Sequence, residues 1–189
     1  GGVAVPVTVT PVPNPYGVVL APSARVTGSS VQEGCFEEAF LFTRTGSTAA
    51  ADTLFLEHAG QAVAGEDFSE LPGFVVFDPG VAGVYVPVHF PPDADEVEDL
   101  VLRLGDASDC DTSFVEHVFS IDPVPAVVAV GGTAVVPCGE AATLNVSVTG
   151  GHAPYTYRWP DGSALPVHVV SPSISTAYEV VVTDTCGTT

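Results

Sequence analysis

Residues 175–189 read STAYEVVVTDTCGTT, and residues 1–13 read GGVAVPVTVTPVP. In the first stretch Tyr178, Val180 and Val182 alternate with Glu179, Val181 and Thr183, the period-2 pattern of a strand. Asp184, Thr185, Cys186 and Gly187 then spell a turn. In the second stretch a Gly pair leads into alternating Val3, Val5, Val7 and Val9. Written head to tail, EVVVTDTCGTT followed by GGVAVPVTVTP reads as a β-hairpin running into a Pro-rich linker. The expectation is that the 189 residues are one period of a longer series. Either Thr189 is followed by another Gly1, or the Gly1 strand is donated to a neighbouring subunit.

Working outward, helix formers are scarce, and Val, Thr, Gly and Pro dominate (Gly 19, Pro 17). No stretch places apolar residues at i, i+3, i+4 and i+7, so the fold class expected is all-β, with short strands and sharp turns. The chain has no Lys, its only cations being Arg25, Arg44, Arg103 and Arg158, and its formal net charge is −19. Nucleic-acid binding is excluded for want of any basic footprint to displace counterions from phosphate. Anionic membranes would repel such a chain, and no apolar run approaches the ~18–20 residues of a spanning helix. So acidic a surface keeps a chain soluble and collects cations.

Cys35, Cys110, Cys138 and Cys186 allow three pairings. None sits in a C-x-x-C, and no histidine lies near them at zinc-finger spacing. Two disulfides in an oxidising, extracellular compartment fit better than redox chemistry. The histidines His58, His89, His117, His152 and His168 are scattered singly, with no H-x-x-x-H and no serine elbow beside them. The acidic loops could supply paired carboxylates for glycoside hydrolysis. The single tryptophan, Trp159, gives them no aromatic sugar platform, and no enzyme activity is expected.

Residues 15–30 carry Pro15 and Pro22 around a short apolar run and read as a linker with one edge strand. Six strands are expected next, around Phe36–Phe42 (with a bulge at Ala39/Phe40), Thr53–Ala59, Phe74–Phe77, Val84–Phe90, Val97–Leu104 and Phe114–Ile121. Their spacing is that of a sandwich. Glu33-Gly34, FLFTRTGST, AVAGEDFSELPGFVVFDPG and DADEVEDLVLRL occur here in that order. Together they resemble the Calx-beta family over residues 31–122. In that family carboxylates before the first strand, in the G-x-D loop, in the D-x-D/E loop and at the terminal Asp can bind calcium. The resemblance therefore implies a calcium site at Glu33, Asp67, Asp93, Asp95 and Asp122, with Glu96 as a substitute. The plain alternative is a set of solvated acidic loops.

Asp122-Pro123-Val124-Pro125 marks the boundary of a second sandwich, residues 123–189. Its strands are expected at Ala126–Val130, Thr133–Val136, Ala142–Val148, Tyr155–Trp159, Pro166–Val170 and Ala177–Thr183. The run GGHAPYTYRW, residues 150–159, resembles the immunoglobulin-like and PKD-like repeats of bacterial adhesins. There Trp159 is expected as a core aromatic. The combination of modules is similar to giant surface proteins of gliding bacteria.

The fold expected is thus two tandem antiparallel β-sandwiches, Calx-beta-like and immunoglobulin-like. The second is completed by residues 1–14 of the next repeat or subunit. With each disulfide kept inside one sandwich, the pairs expected are Cys35–Cys110 and Cys138–Cys186. The function expected is that of a structural extracellular module at a bacterial cell surface, the repeating unit of an adhesin or filament. Its partners would be neighbouring copies of itself, together with a surface glycan or cell partner. The alternative is a calcium-dependent or glycan-binding adhesion module.

Overall fold

The structure, a computed structural model, describes residues 16–92, 96–106 and 114–189. All regular structure in it is β. Among the described residues the chain divides into two compact units. The first takes 16–32, Phe36–Pro91 and 96–122; the second takes Glu33–Cys35, Pro92 and Pro123–Thr189.

The first unit holds β1 (Tyr16–Leu20), β2 (Val26–Thr27), β3 (Ser30–Gln32), β4 (Glu37–Arg44), β5 (Asp52–Gly60), β6 (Phe74–Phe77), β7 (Gly83–His89), β8 (Glu98–Asp106) and β9 (Val115–Asp122). One sheet runs β1-β4-β7 and the other β2-β3-β9-β8-β5-β6. Alternation decides what faces inward. Phe40 and Phe42 of β4, Leu54 and Leu56 of β5, and Leu100, Leu102 and Leu104 of β8 form one buried cluster with Phe77, Phe119 and Ile121. Each such side chain contributes about 1.5–3 kcal/mol on burial, so this unit is sealed by its own residues.

Arg44, at the end of β4, continues the inward face and is itself buried. Its Nε donates to Val81 O (2.8 Å), Nη1 to Ala50 O (3.0 Å) and Nη2 to Asp78 O (3.0 Å), with Asp52 3.6 Å away. The guanidinium thus ties two loops to the sheet edge, and its donors find the partners that burial demands.

Two expectations about this unit are corrected. Residues 15–30 do hold the expected edge strand, as β1 lies at the edge of its sheet, but the remainder is not a linker. From Tyr16 they carry β1, β2 and the start of β3, and Tyr16, Val18 and Leu20 lie in the core. The prolines flank these strands without interrupting them. Nor does β4 bulge at Ala39/Phe40: its pairing with β7 runs unbroken from Glu37↔His89 to Thr43↔Gly83.

The second unit holds β10 (Val128–Gly131), β11 (Ala142–Thr149), β12 (Thr156–Arg158), β13 (Val167–Val170) and β14 (Val181–Thr183). One sheet runs β10-β11-β13, the other only β12-β14. The strand expected at Thr133–Val136 does not form: those residues follow β10 without a ladder partner among the described residues. Trp159 is buried, as a core aromatic should be, with its Nε1 donating to Leu165 O at 2.9 Å and its ring stacked on His168.

The disulfide pairs are corrected as well. Cys35 bonds Cys186, with Cα atoms 5.4 Å apart, so neither Cys35–Cys110 nor Cys138–Cys186 forms. Glu33–Cys35 precedes β4 in sequence but packs with the second unit, where it meets the turn that carries Cys186. Cys138 is an exposed free thiol that donates to Ser173 O, and Cys110 lies outside the described residues.

Candidate functional site

The second unit's terminal turn is built around Asp184. Its Oδ1 accepts from the backbone N–H groups of Cys186 (2.9 Å) and Thr188 (2.8 Å), and its Oδ2 from that of His152 (2.9 Å). Burial raises the pKa of this carboxyl. The three backbone donors from His152, Thr188 and Cys186, with the His152 charge, outweigh that and hold it below the ordinary value. Gly150 and Gly151 both have positive φ, and a Cβ on Gly151 would meet Asp184 Oδ2 at 2.8 Å. Only glycine lets the 150–152 turn approach so closely. His152 Nε2 donates to Glu33 O at 2.7 Å, and the disulfide fixes Cys35 beside it.

This turn is a hairpin turn. Asp184 N donates to Thr188 O (3.0 Å), and Gly187 in between has φ +86°. That is a three-residue loop with glycine in the left-handed region, a common way to join antiparallel strands. The chain is therefore reversed at Thr188 and heads back along β14. Among the described residues β14 pairs with β12 alone.

A cavity of about 720 Å3 lies inside this unit. Leu144 and Val146 of β11, Trp159, Val170 and Pro172 form part of its lining, and segments 131–136 and 175–180 contribute further residues. Apart from Gly131 at the end of β10, neither segment belongs to a strand. Leu144, Val146, Tyr178 and Val180, which should be core by their alternation, are only half-buried. Among the described residues, not one that lines it is charged.

The residues expected to bind calcium are partly described. Glu33 is buried and belongs to the second unit; Asp67 and Asp122 belong to the first. Asp67 Oδ2 accepts from Val63 N (2.6 Å) within its own turn. Asp122 Oδ1 accepts from Ser120 Oγ (3.0 Å), and Oδ2 from Ser30 Oγ. Asp93 and Asp95 lie outside the described residues, as do Val3, Val5, Val7 and Val9. Among the described residues no three His, Cys, Asp or Glu side chains form a group able to hold a metal. The described members thus do not make a cation site by themselves. The roles of Asp184 and His152 escaped sequence reasoning, although GGH and TDTCG are both visible as turns.

No known family profile and no curated protein matches the chain. Solved structures do. The apo form of the Calx CBD1 domain is 24% identical, with a TM-score of 0.41, over 50% of this chain and 88% of that one. The calcium-binding domain CBD12 of CALX1.1 is 20% identical, with a TM-score of 0.47, over 80% of this chain and 71% of that one. The native conformation of E. coli alpha-2-macroglobulin is 13% identical, with a TM-score of 0.36, over 76% of this chain and 9% of that one. Among the described residues no helix is long and apolar enough to cross a membrane.

Proposed function

We propose that this chain is a structural extracellular module that joins copies of itself head to tail, as one link in a surface adhesin or filament. The observation that carries the reading is the Asp184–Thr188 hairpin turn, which reverses the chain beside β14, a strand that pairs among the described residues with β12 alone. The Gly1 strand of the next copy supplies the outgoing arm, joined through Thr189 or donated by a separate subunit. Such a contact is heterologous and propagates as an open series. The Cys35–Cys186 disulfide suits an oxidising compartment outside the cell. The adhesion alternative, calcium held by Glu33, Asp67, Asp93, Asp95 and Asp122 or a glycan on the loops, has no comparable observation behind it.

The test compares the chain with a variant that carries a second Gly1–Pro13 appended after Thr189. The parent should form a concentration-dependent series in sedimentation velocity, and the self-capped variant should be monomeric with a higher melting temperature. Two monomers with the same melting temperature would refute the reading.

A further inference from the structure

The cavity of the second unit has the dimensions and chemistry of a vacant strand position. Its two flanking segments, 132–136 and 175–180, carry no backbone hydrogen bonds to a neighbouring strand among the described residues. They would be about 17 and 20 Å long if extended. Between them lie Leu144 and Val146, apolar side chains left half-buried where the sealed first unit buries their equivalents completely. We propose that this cavity is the seat of residues 3–9 of a second copy, which enters as a strand antiparallel to β14. The inference rests on the head-to-tail reading above and assigns it a site.

Three observations single out that occupant. Val3, Val5, Val7 and Val9 fall on one face, as an apolar cavity requires, and as a strand they span about 20 Å. The first charged residue of the chain is Arg25, so this segment is neutral in a protein of net charge −19. The lining is neutral too, so two strongly acidic copies can meet here without burying like charges. Finally, the Asp184–Thr188 turn already points an incoming strand along β14.

Pro6 fixes the orientation further. N–H groups of alternate residues point to opposite sides of a strand, and Pro6 has none. The odd residues therefore face β14 with their N–H groups, and the even ones face segment 132–136, which forms no regular ladder.

The test uses the unmodified chain and a synthetic Gly1–Pro11 peptide with a photoreactive leucine at position 7. Illumination should label Leu144, Val146 or Trp159. A peptide that also carries Val5→Asp should label at least tenfold less, and the unlabelled parent peptide should shorten the self-associated series. Labelling elsewhere, with self-association intact, would overturn the seat and leave the head-to-tail reading standing. The same photoreactive residue placed within the full chain gives the remaining arm. If it crosslinks only inside its own monomeric chain, the occupant is not a second copy, and both readings fall.

Discussion

Cleaving Cys35–Cys186 should selectively weaken the second unit. The bond closes a sequence separation of 151 residues. The chain-entropy relation gives such a closure about 5 kcal/mol at 25 °C. If the first unit stays folded while the second unfolds, the closure that matters is the second unit's own chain, 123–186, and the same relation gives about 4 kcal/mol. A domain of this size has of order 3–10 kcal/mol in total, so the bond supplies a large share of its stability. Trp159 is the only tryptophan and lies in this unit, so its emission reports this transition in urea. With m near 1–3 kcal/mol/M, the midpoint should fall by about 1.5–4 M in reductant or in Cys35→Ser. Cys110→Ser should leave it in place. A midpoint unmoved by reductant, or moved as far by Cys110→Ser as by Cys35→Ser, would refute the pairing and the estimate built on it.

Arg44→Met leaves the Val81, Ala50 and Asp78 carbonyls without their charged donor. It should destabilise the first unit by about 3–5 kcal/mol in calorimetry, with the second unit's transition unmoved. Burial pushes the His117 pKa down, and its Nε2 has no hydrogen-bond partner among the described residues. The native state therefore binds fewer protons than the unfolded one. This stability is complete above about pH 6.5 and is lost as pH falls through the lowered folded value, so melts on acidification should show a loss that His117→Leu abolishes. The depressed Asp184 pKa puts a second loss, in the second unit, below about pH 4, which Asp184→Asn should remove at the expense of stability at neutral pH. If Glu33, Asp67 and Asp122 take part in no cation site, the melting temperature should be the same in excess calcium and in chelator. A rise that tracks free calcium would instead bring Asp93 and Asp95 into a cation site by mass action.

Alternation carried most of the strand reading because each sheet has one buried face. Leu54 and Leu56 inward with Phe55 and Glu57 outward is the observed burial of β5. The same logic accounts for β1, the edge strand expected in residues 15–30, where Tyr16, Val18 and Leu20 alternate inward, while the flanking prolines suggested a linker for the rest. What stayed hidden depends on contacts between distant loops. Nothing in EGC or TDTCG says that Cys35 meets Cys186, because the pairing depends on Glu33–Cys35 packing away from the strand that follows it. Arg44 looks like an ordinary hairpin cation until residues 48–50 and 78–81 place their carbonyls around it. Asp184 looks like a turn residue, which it is, but its backbone partner His152 lies 32 residues away.

The disulfide takes on a mechanical meaning if copies are joined through Thr189. Tension entering such a series at one copy and leaving at the next must follow covalent bonds. Cys35–Cys186 offers it a path that bypasses residues 36–185. Only residues 1–35 and 186–189 could then be drawn out, about 130 Å per copy at about 3.4 Å per residue, against about 640 Å for the whole chain. Residues 36–185, which include the strand seat of the second unit, sit behind the bypass, whereas β1–β3, with Tyr16, Val18, Leu20 and Val31 of the first unit's core, remain in line. The stretch that remains in line includes both the proposed donor strand and β1–β3, so these are the elements that bear load before reduction. Single-molecule stretching of a tandem of copies should show short release steps under oxidising conditions. Steps long enough to include residues 36–185 should appear only after reduction, and their appearance before it would refute the bypass.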